Sequence, residues 1–391
     1  MFSENELFYK NVYLKECDAE VLSIEESKNG YDVVLTQTIF YPEGGGQSCD
    51  TGFINEAHVT SVKRKNDVII HTVDKELKVG EKVHLKLDWE RRYDHMQNHT
   101  GEHILSGIIH KLYGYENVGF HMDEEKIQAD YDGVLNKEDV EKIEKEINEV
   151  IHQNIPVVET YPTDTELETL EFRSKKELVG KVRIITIDDV DICACCGTHV
   201  KSTAEVNLIK ILSFEKHKNG TRLEMMSGNR ALKDYMQKHE QNTKLFQMFS
   251  VKPYVVYDAV NKLNNEYHSL QKDYVALQVE YLNSKVNTFT ESNYILDILD
   301  ISLSMQAMRD YANKLIEKSK YVCIVAKKDE ENYLYVLASK TEKVNELSKK
   351  LNSILNGKGG GKDTFAQGSF HSTKEDIKEK IEEVFKGEVN E

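Results

Sequence analysis

The chain has 391 residues, of which 39% are hydrophobic and 30% charged, and a chain of this length is expected to form two or three domains. Its net charge of −16 argues against a general nucleic-acid binder, so RNA binding would require local basic patches. The apolar runs are far shorter than the ~20 residues that span a bilayer, and the acidic N-terminus lacks the features of a signal peptide. We therefore expect no membrane contact and a cytoplasmic location.

Residues 1–88 alternate short β-rich runs with turn signals, and they predict a small antiparallel barrel or sandwich. Within them lies the glycine run Pro42-Glu-Gly-Gly-Gly46, where the backbone can approach a ligand closely. A phosphate-binding loop is disfavoured because neither a Gly-Lys-Ser/Thr sequence nor a helical pattern follows. We interpret the run as a loop that closes over a metal site with the Gln47 amide pointing inward. The alternative is a wide hairpin turn.

Residues 89–239 form the second predicted domain, which begins with a helix that carries regularly spaced histidines. His95, His99 and His103 lie four residues apart, so a helix from about residue 93 to 112 would place them on one face. Two imidazoles one turn apart can hold a single metal ion. A lone pair of this kind is weak evidence, but a second pair follows downstream.

The second pair lies in a cysteine-rich motif, Cys193-Ala-Cys-Cys-Gly-Thr-His199, where Cys195 and His199 repeat the four-residue spacing. Together with His99 and His103 they form an N3S donor set suited to one Zn²⁺ per chain. The clustered cysteines favour a metal in a reducing compartment over a disulfide framework. The alternative without a metal has hydrogen-bonded histidines and small buried cysteines. Spacing alone does not exclude His95, Cys193 or Cys196 as a ligand.

Local signals also predict the boundaries of this domain's elements. Gly114 is expected to end the histidine helix, and Asn136 to cap a second helix over about residues 137–153. Short β-rich runs flank the cysteine motif and predict a sheet. We therefore expect an α/β sandwich with the metal between the first helix and the sheet.

Residues 240–291 are expected to be helical, with an apolar stripe in which positions recur every seven residues. This 3–4 alternation over three heptads is typical of a coiled coil. The seam can pair within the chain or between two chains, as in a homodimer through residues 260–281. The stripe consists of Val260, Leu263, Tyr267, Leu270, Tyr274, Leu277 and Tyr281.

Residues 292–391 are expected to form a small C-terminal α/β domain. We predict two strands around a polar turn and then one helix. A glycine-rich loop follows at residues 357–361, and its composition indicates only that the backbone closely approaches another group. The fold class predicted for the whole chain is therefore α+β. It comprises a small N-terminal β-barrel, an α/β sandwich that binds metal, coiled-coil helices and this last domain.

The metal motifs resemble those of the editing domain of alanyl-tRNA synthetase. The similarity keeps the synthetase's order and covers most of the chain. No segment long enough for an aminoacylation core precedes it, so the chain is expected to be similar to the free-standing alanyl-tRNA editing proteins, the AlaX group, in their long form. Cys196 departs from the family pattern, which usually has Gly there, and leaves open which of the paired cysteines binds the metal. The matching segments are residues 38–47, 99–103, 180–184, 195–200 and 357–369.

The resemblance implies hydrolysis of an aminoacyl ester on alanine tRNA that wrongly carries serine or glycine. It implies a zinc ion that orients the amino acid, polarises the carbonyl or activates water. Four protein ligands are typical of structural zinc, whereas catalytic zinc usually has three and a water, so we expect one exchangeable ligand position. Gln47 and Thr38 are expected to contact substrate or water, beside the ribose hydroxyl that neighbours the ester.

The tRNA is expected to contact basic residues, and the resemblance suggests that the C-terminal region holds the body of the tRNA. Any single basic patch is equally consistent with solvated surface charge. The residues expected to bind RNA are Arg91, Arg92, Arg222, Lys358 and Lys362. Arg91 and Arg92 form one basic cluster, and Arg222 belongs to a second with Lys216, Lys218 and Arg230. A third candidate cluster consists of Lys175, Lys176, Lys181 and Arg183.

Three other functions compete with this interpretation. His99-Thr-Gly-Glu-His103 fits the His-x-x-Glu-His pattern of inverzincin metalloproteases, with Glu102 as general base, but that function leaves Cys195 and His199 unexplained. A zinc-stabilised RNA-binding module would hold metal and RNA without hydrolysis. The editing domain of threonyl-tRNA synthetase has similar paired motifs and also removes serine, but the glycine run and the C-terminal domain favour the alanine system.

Overall fold

The computed structural model describes residues 4–123, 125–174 and 182–389. The chain divides into two units, Met1–Leu245 and Phe246–Glu391. Unit 1 contains a barrel and the elements around the histidine helix, and unit 2 contains a long helix and a five-stranded sheet. In the described part of the chain, no helix is both long and apolar enough to cross a membrane.

The N-terminal part of unit 1 is a closed six-stranded barrel that follows a short helix, α1 (Leu7–Lys10). In chain order the strands are β1 (Glu16–Ser27), β2 (Gly30–Leu35), β3 (Gly52–Ile54), β4 (Ala57–Lys65), β5 (Val68–Val73) and β6 (Lys82–Leu87). They close in the order β1-β2-β5-β4-β3-β6. Every second residue of β6 is buried, as expected when side chains alternate between a core and solvent. The prediction of a small N-terminal β-barrel is confirmed.

The histidine helix, α2 (Trp89–Tyr113), begins directly after the barrel. The side chain of Asp88 caps it by accepting the backbone N–H of Arg91, so the helix starts about four residues earlier than predicted. Gly114 ends it in the left-handed conformation, at φ 71°, as predicted. Sixteen residues of α2 are buried, so the helix runs through the interior of unit 1.

Two sheets and three further helices follow α2. In chain order these elements are β7 (Asn117–Met122), β8 (Ile127–Tyr131), α3 (Lys137–His152), β9 (Val157–Thr160), α4 (Asp164–Leu167), β10 (Ile184–Ile187), β11 (Asp191–Ala194), β12 (Ile209–His217), β13 (Gly220–Ser227) and α5 (Gly228–Met248). One sheet has the order β12-β13-β8-β7 and the other β11-β10-β9. The predicted cap of α3 is present, because Asn136 and Asp139 form a reciprocal capping box.

Packing against both sheets positions the histidines of α2. Ile104 of α2, Ile143 of α3 and Leu223 of β13 belong to one buried apolar cluster, which fixes α2 on the four-stranded sheet. On another side, α2 contacts β11 of the three-stranded sheet. The cysteine motif begins in the last two residues of β11 and continues beyond it, so this contact brings the motif to the histidine face of α2.

Unit 2 is a mixed sheet covered on both faces by helices. In chain order its elements are α6 (Val256–Val286), β14 (Ser292–Leu299), α7 (Met305–Leu315), β15 (Ser319–Lys327), β16 (Asn332–Ala338), α8 (Val344–Ile354), β17 (Lys358–Lys362), β18 (Phe365–His371) and α9 (Lys374–Val389). The sheet order is β14-β15-β16-β18-β17, with β14 and β15 parallel. A C-terminal α/β domain is thus confirmed. The glycine-rich loop predicted at residues 357–361 is corrected: it is mostly the exposed edge strand β17, paired with β18.

The heptad stripe predicted for a coiled coil lies on α6, and its seven side chains are between 40% and 67% exposed. Among the residues that the structure describes, the one buried side chain of α6 is Leu282, which packs into the apolar cluster beneath α7. An apolar patch of this length usually marks an interaction surface. Pairing of the stripe with a second chain stays a prediction.

If α6 pairs with its copy, light scattering should give a mass near twice the 45.1 kDa of one chain. Replacing Leu270 and Leu277 by lysine should then reduce the mass to that of a monomer, because charges at seam positions are desolvated on pairing. Asn264→Lys adds a charge to the same helix outside the stripe and serves as the control. A wild-type protein that is monomeric throughout the micromolar range would contradict pairing of α6 between two chains.

Candidate metal centre

Four side chains from two segments meet at one point of unit 1. His99 and His103 come from α2, and Cys195 and His199 from the loop after β11. One ligand atom of each lies within 4.8 Å of the ligand atoms of the others. The three histidines are buried, and the Sγ atom of Cys195 is 3.3 Å from Nε2 of His99. The structure therefore brings together the four residues that the paired spacings predicted.

The state of these groups fits a metal ion. Nε2 of His199 is buried without a hydrogen-bond partner, which is costly for a polar atom unless it binds something. Burial would raise the pKa of the Cys195 thiol, but His99 and His103 outweigh it and hold that pKa well below its usual range. A thiolate beside three imidazoles is a donor set that suits Zn²⁺.

The protonation of His103 and His199 differs in the protein alone. Burial lowers the pKa of His199 to about 3 and keeps its ring neutral. Burial also lowers the pKa of His103, but the Cys195 thiolate and Asp191 raise it to about 9. Because metal ligands must be deprotonated, metal binding at neutral pH would release a proton from His103.

Each histidine is held at Nδ1 by a different side chain, which leaves Nε2 for the cluster. Such partners fix the tautomer and orientation of a ligating imidazole. The three contacts are His99 Nδ1 to Gln47 Oε1 at 3.0 Å, His103 Nδ1 to Asp191 Oδ2 at 2.9 Å, and His199 Nδ1 to Thr100 Oγ1 at 3.1 Å.

The glycine run leads directly into Gln47, which reaches this cluster, and closure of the run over a metal stays a prediction. Gly46 has φ 80°, and a Cβ atom there would lie 2.4 Å from the ring of Phe120, so only glycine fits. The Gln47 amide oxygen accepts hydrogen bonds from His99 and from the backbone N–H of Thr198. Its Nε2 donates to the Thr198 hydroxyl at 2.9 Å. Gln47 thus connects the two segments that supply the cluster.

The cysteine loop is shaped by Gly197 and Arg183. A Cβ atom on Gly197 would lie 2.0 Å from His99, so a side chain there is incompatible with the cluster. Nη1 of Arg183 donates to the carbonyl oxygens of Cys195 and Gly197, at 3.0 and 2.7 Å. Its Nη2 pairs with Glu159 at 2.6 Å. Arg183 is buried, so its assignment to an RNA-contacting patch is corrected to a structural role.

Thr38, which was expected to contact substrate or water, is engaged within the barrel. It is buried, its hydroxyl lies 2.8 Å from Nε2 of His71, and it accepts the N–H of Phe40 at 3.0 Å. Burial lowers the pKa of His71 to about 4, so this ring is neutral. These contacts connect Thr38 to a side chain of strand β5 of the barrel.

The arginines expected to bind RNA have different environments. Arg92 is 0% exposed and pairs with the buried carboxylate of Asp50, so its assignment as an RNA contact is corrected to a structural one. Arg91 is partly exposed, and its Nε donates to the carbonyl of Cys49 at 3.2 Å. Arg222 is bound by Asp130 at 2.6 Å.

The lysines of the predicted patches are mostly at the surface. Lys358 and Lys362 are exposed at the two ends of β17, and Lys216 and Lys218 are exposed near the β12–β13 turn. Arg230, which was grouped with the latter two, is instead largely buried and paired with Asp94 at 2.6 Å. Outside the described residues lie Lys175, Lys176 and Lys181.

The residues that spacing left open are not part of the four-residue cluster. His95 is buried with an unpartnered Nδ1, and burial together with Arg91 lowers its pKa to about 3. Cys196 is exposed. Cys193 could join His103 and Asp191 in a second group, but burial raises the pKa of its thiol, which disfavours a thiolate there.

The metalloprotease alternative loses support from Glu102 and Cys195. The Glu102 carboxylate accepts hydrogen bonds from Ser106 and Asn117, each at 2.6 Å, and is engaged with β7 and its own helix. Cys195 lies in the four-residue cluster. A metalloprotease whose third ligand is a carboxylate would not need a cysteine there. The arrangement therefore favours the four-residue site.

Sequence reasoning missed the supporting roles of Thr100, Asp191 and Arg183. Thr100 lies inside the histidine motif but has no spacing signal of its own. Asp191 is one of three aspartates at residues 188–191, which read as an acidic turn. Its burial in the folded protein is what identifies Asp191 as a hydrogen-bond partner of a candidate ligand.

Comparison with known families matches three parts of the chain. Residues 3–91 match the family described as tRNA synthetases class II (A). Residues 182–224 match the threonyl and alanyl tRNA synthetase second additional domain, which includes the cysteine motif. Residues 291–387 match the DHHA1 domain.

Several known proteins are similar along nearly the whole chain. An alanyl-tRNA editing protein AlaX-L from Pyrococcus horikoshii is 35% identical and is aligned over 95% of this chain and 96% of its own length. An alanyl-tRNA editing protein Aarsd1 from Danio rerio is 29% identical, over 93% of each chain. An alanine–tRNA ligase from Pyrococcus furiosus is 33% identical over 97% of this chain but only 43% of the ligase.

Proposed function

Because this chain belongs to the family of alanyl-tRNA editing proteins, we propose that it is a zinc-dependent hydrolase that removes serine, and more weakly glycine, from mischarged alanine tRNA. The observation that carries the proposal is the buried cluster of His99, His103, Cys195 and His199 in a chain with such relatives. The reaction would act in trans on tRNA already released by the synthetase. The proposed location is the cytoplasm, where such a tRNA would be used in translation.

The residues of the site can prepare this chemistry without a protein nucleophile. When bound, Zn²⁺ can polarise an ester carbonyl, activate water or orient the amino acid. Gln47 and Thr100 hold the Nδ1 atoms of His99 and His199, so the opposite ring nitrogens are presented in one direction. The buried surroundings exclude bulk water and strengthen electrostatic interactions with a developing oxyanion.

Gln47 is the better of the two proposed readers of the serine side chain. It lies at the cluster, and its amide nitrogen has two hydrogens, one of which is donated to Thr198. Thr38 is instead bound to His71 and Phe40. A polar group left unpaired when alanine occupies the pocket can discriminate strongly against a substrate without the hydroxyl.

Contacts with the body of the tRNA are proposed for unit 2. Lys358 and Lys362 are exposed at the edge strand β17, where small glycines let a phosphate backbone approach. Arg91 in unit 1 is the proposed contact nearer the acceptor end. Two separate contacts on one RNA raise affinity through effective concentration without changing the chemistry at the ester.

The full chain should be assayed against seryl, glycyl and alanyl esters of alanine and threonine tRNAs. We expect alanine tRNA that carries serine to be hydrolysed roughly 10²-fold or more faster than the same tRNA carrying alanine, because the pocket pairs with the serine hydroxyl. Glycine lacks this hydroxyl, so its ester should react more slowly than the seryl ester. Removal of the metal with a chelator should abolish hydrolysis, and added zinc should restore it.

Other outcomes would favour the alternatives. Binding of tRNA and zinc without hydrolysis would indicate an RNA-binding module. Preferential hydrolysis of serine from threonine tRNA would indicate an editing function like that of threonyl-tRNA synthetase. Equal hydrolysis of seryl and alanyl esters would contradict the proposed reading of the serine hydroxyl by Gln47.

A further inference from the structure

The three histidines of the metal cluster are not held by equivalent groups. His103 is held by the carboxylate of Asp191 at 2.9 Å. His99 is held by an amide and His199 by a hydroxyl. A carboxylate carries a full charge, and hydrogen bonds with an ionised partner are roughly twice as strong as neutral ones. The cluster therefore has one charged support and two neutral ones.

Asp191 is itself fixed by a second charge. Its side chain is buried, and its Oδ1 accepts a hydrogen bond from Nε of Arg173 at 2.7 Å while Oδ2 faces His103. The side chain of Arg173 is only 10% exposed. Rotation of the Asp191 carboxylate away from His103 would break both contacts in surroundings that offer little water.

The backbone holds Arg173 in the same strand region. The N–H of Arg173 donates to the carbonyl of Ile192 at 2.8 Å, and its own carbonyl accepts from Ala194 at 2.9 Å. The arginine is thus anchored on both sides of Cys193, between Asp191 and the ligand Cys195. These two hydrogen bonds tie the Arg173–Asp191 pair to the strand that leads into the cysteine loop.

We propose that Asp191, fixed by Arg173, is a positioning residue that makes His103 the anchoring ligand of the metal, so that any exchangeable position lies among His99, Cys195 and His199. The carboxylate polarises the N–H of His103 and makes the opposite nitrogen a stronger donor. This inference rests on the proposed function only in requiring that the cluster binds Zn²⁺. It reconciles four protein ligands with a site that also takes a substrate or water.

The zinc affinity of the full chain, measured by competition with a chromophoric chelator, tests this ranking. Asp191→Asn keeps an acceptor for His103 but removes the charge, and it should weaken zinc binding by about 10–100-fold. Thr100→Val and Gln47→Met remove the neutral supports, and each should cost clearly less. Asp188→Asn, an exposed carboxylate in the preceding turn, is the matched control and should leave the affinity unchanged.

Two further measurements keep the test decisive. Asp191→Asn leaves Arg173 as an unpaired buried charge, so the double variant with Arg173→Gln should be made, and it should show the same loss of zinc affinity. Cobalt substitution should give the absorption of a tetrahedral thiolate site in both. An Asp191→Asn affinity within twofold of wild type, or a Thr100→Val loss as large, would overturn the ranking. A wild-type chain that binds no zinc would instead reject the proposed function.

Discussion

Replacing Cys195 by alanine should reduce the zinc content from one ion per chain to nearly none, whereas Cys196→Ala should retain the full ion. The two cysteines are neighbours in sequence, but only Cys195 belongs to the group of close ligand atoms. Cys196 is exposed, and its backbone carbonyl accepts the hydroxyl of Tyr9 at 2.8 Å. Loss of a thiolate removes the softest donor of the set, on which binding of Zn²⁺ in an N3S site depends.

Metal analysis of the two purified variants, with the wild-type protein beside them, makes the measurement. Because the substitutions are adjacent and equal in size, a general effect on folding would affect both. Circular dichroism at 25 °C should show folded protein in each case. Zinc retained in Cys195→Ala and lost in Cys196→Ala would reverse the ligand assignment.

The second large effect is expected at Arg92, which was predicted to bind RNA and is buried instead. Arg92→Met should lower the free energy of unfolding of unit 1 by about 3–5 kcal/mol, because it leaves the Asp50 carboxylate buried without its partner. Arg92 also donates to the carbonyl oxygens of Val12 and Ile39, at 3.0 and 2.7 Å. These contacts connect α2 to segments on both sides of the first two barrel strands.

The adjacent Arg91 provides the control. It is partly exposed, so Arg91→Met should cost about 1 kcal/mol or less while weakening tRNA binding. Urea unfolding should be followed by the fluorescence of the single tryptophan, Trp89, since Trp89 begins α2 and reports on unit 1. Equal destabilisation by the two substitutions would contradict the structural role of Arg92.

Local patterns explain why the helices and the ligand set could be predicted. The four-residue repeats of His99 with His103 and of Cys195 with His199 each describe one short segment. Gly114 and Asn136 act on backbone groups within one helical turn. Alternation of buried residues in the N-terminal strands likewise needs no information from distant residues. A heptad stripe is equally local, which is why it predicts a seam but not the partner.

The assignments that failed depend on distant packing. Arg92 and Arg91 are both basic and adjacent, yet the turn of α2 directs one into the barrel junction and leaves the other partly exposed. Thr38 and Gln47 flank the same glycine motif, but only Gln47 reaches His99. Residues 357–361 read as a loop from their glycines, and the pairing partner β18 makes most of them a strand.

The sequence by itself predicted the barrel, the histidine helix and the four candidate ligands, because each follows from periodicity or spacing within a short segment. Only the tertiary structure decided which side chains support those ligands. Gln47 and Asp191 meet His99 and His103 across 52 and 88 residues of chain, and a carboxylate or amide has no sequence pattern that announces such a partner. Burial against α2 removes these groups from water, and the hydrogen bond to a histidine of the cluster offsets their lost hydration.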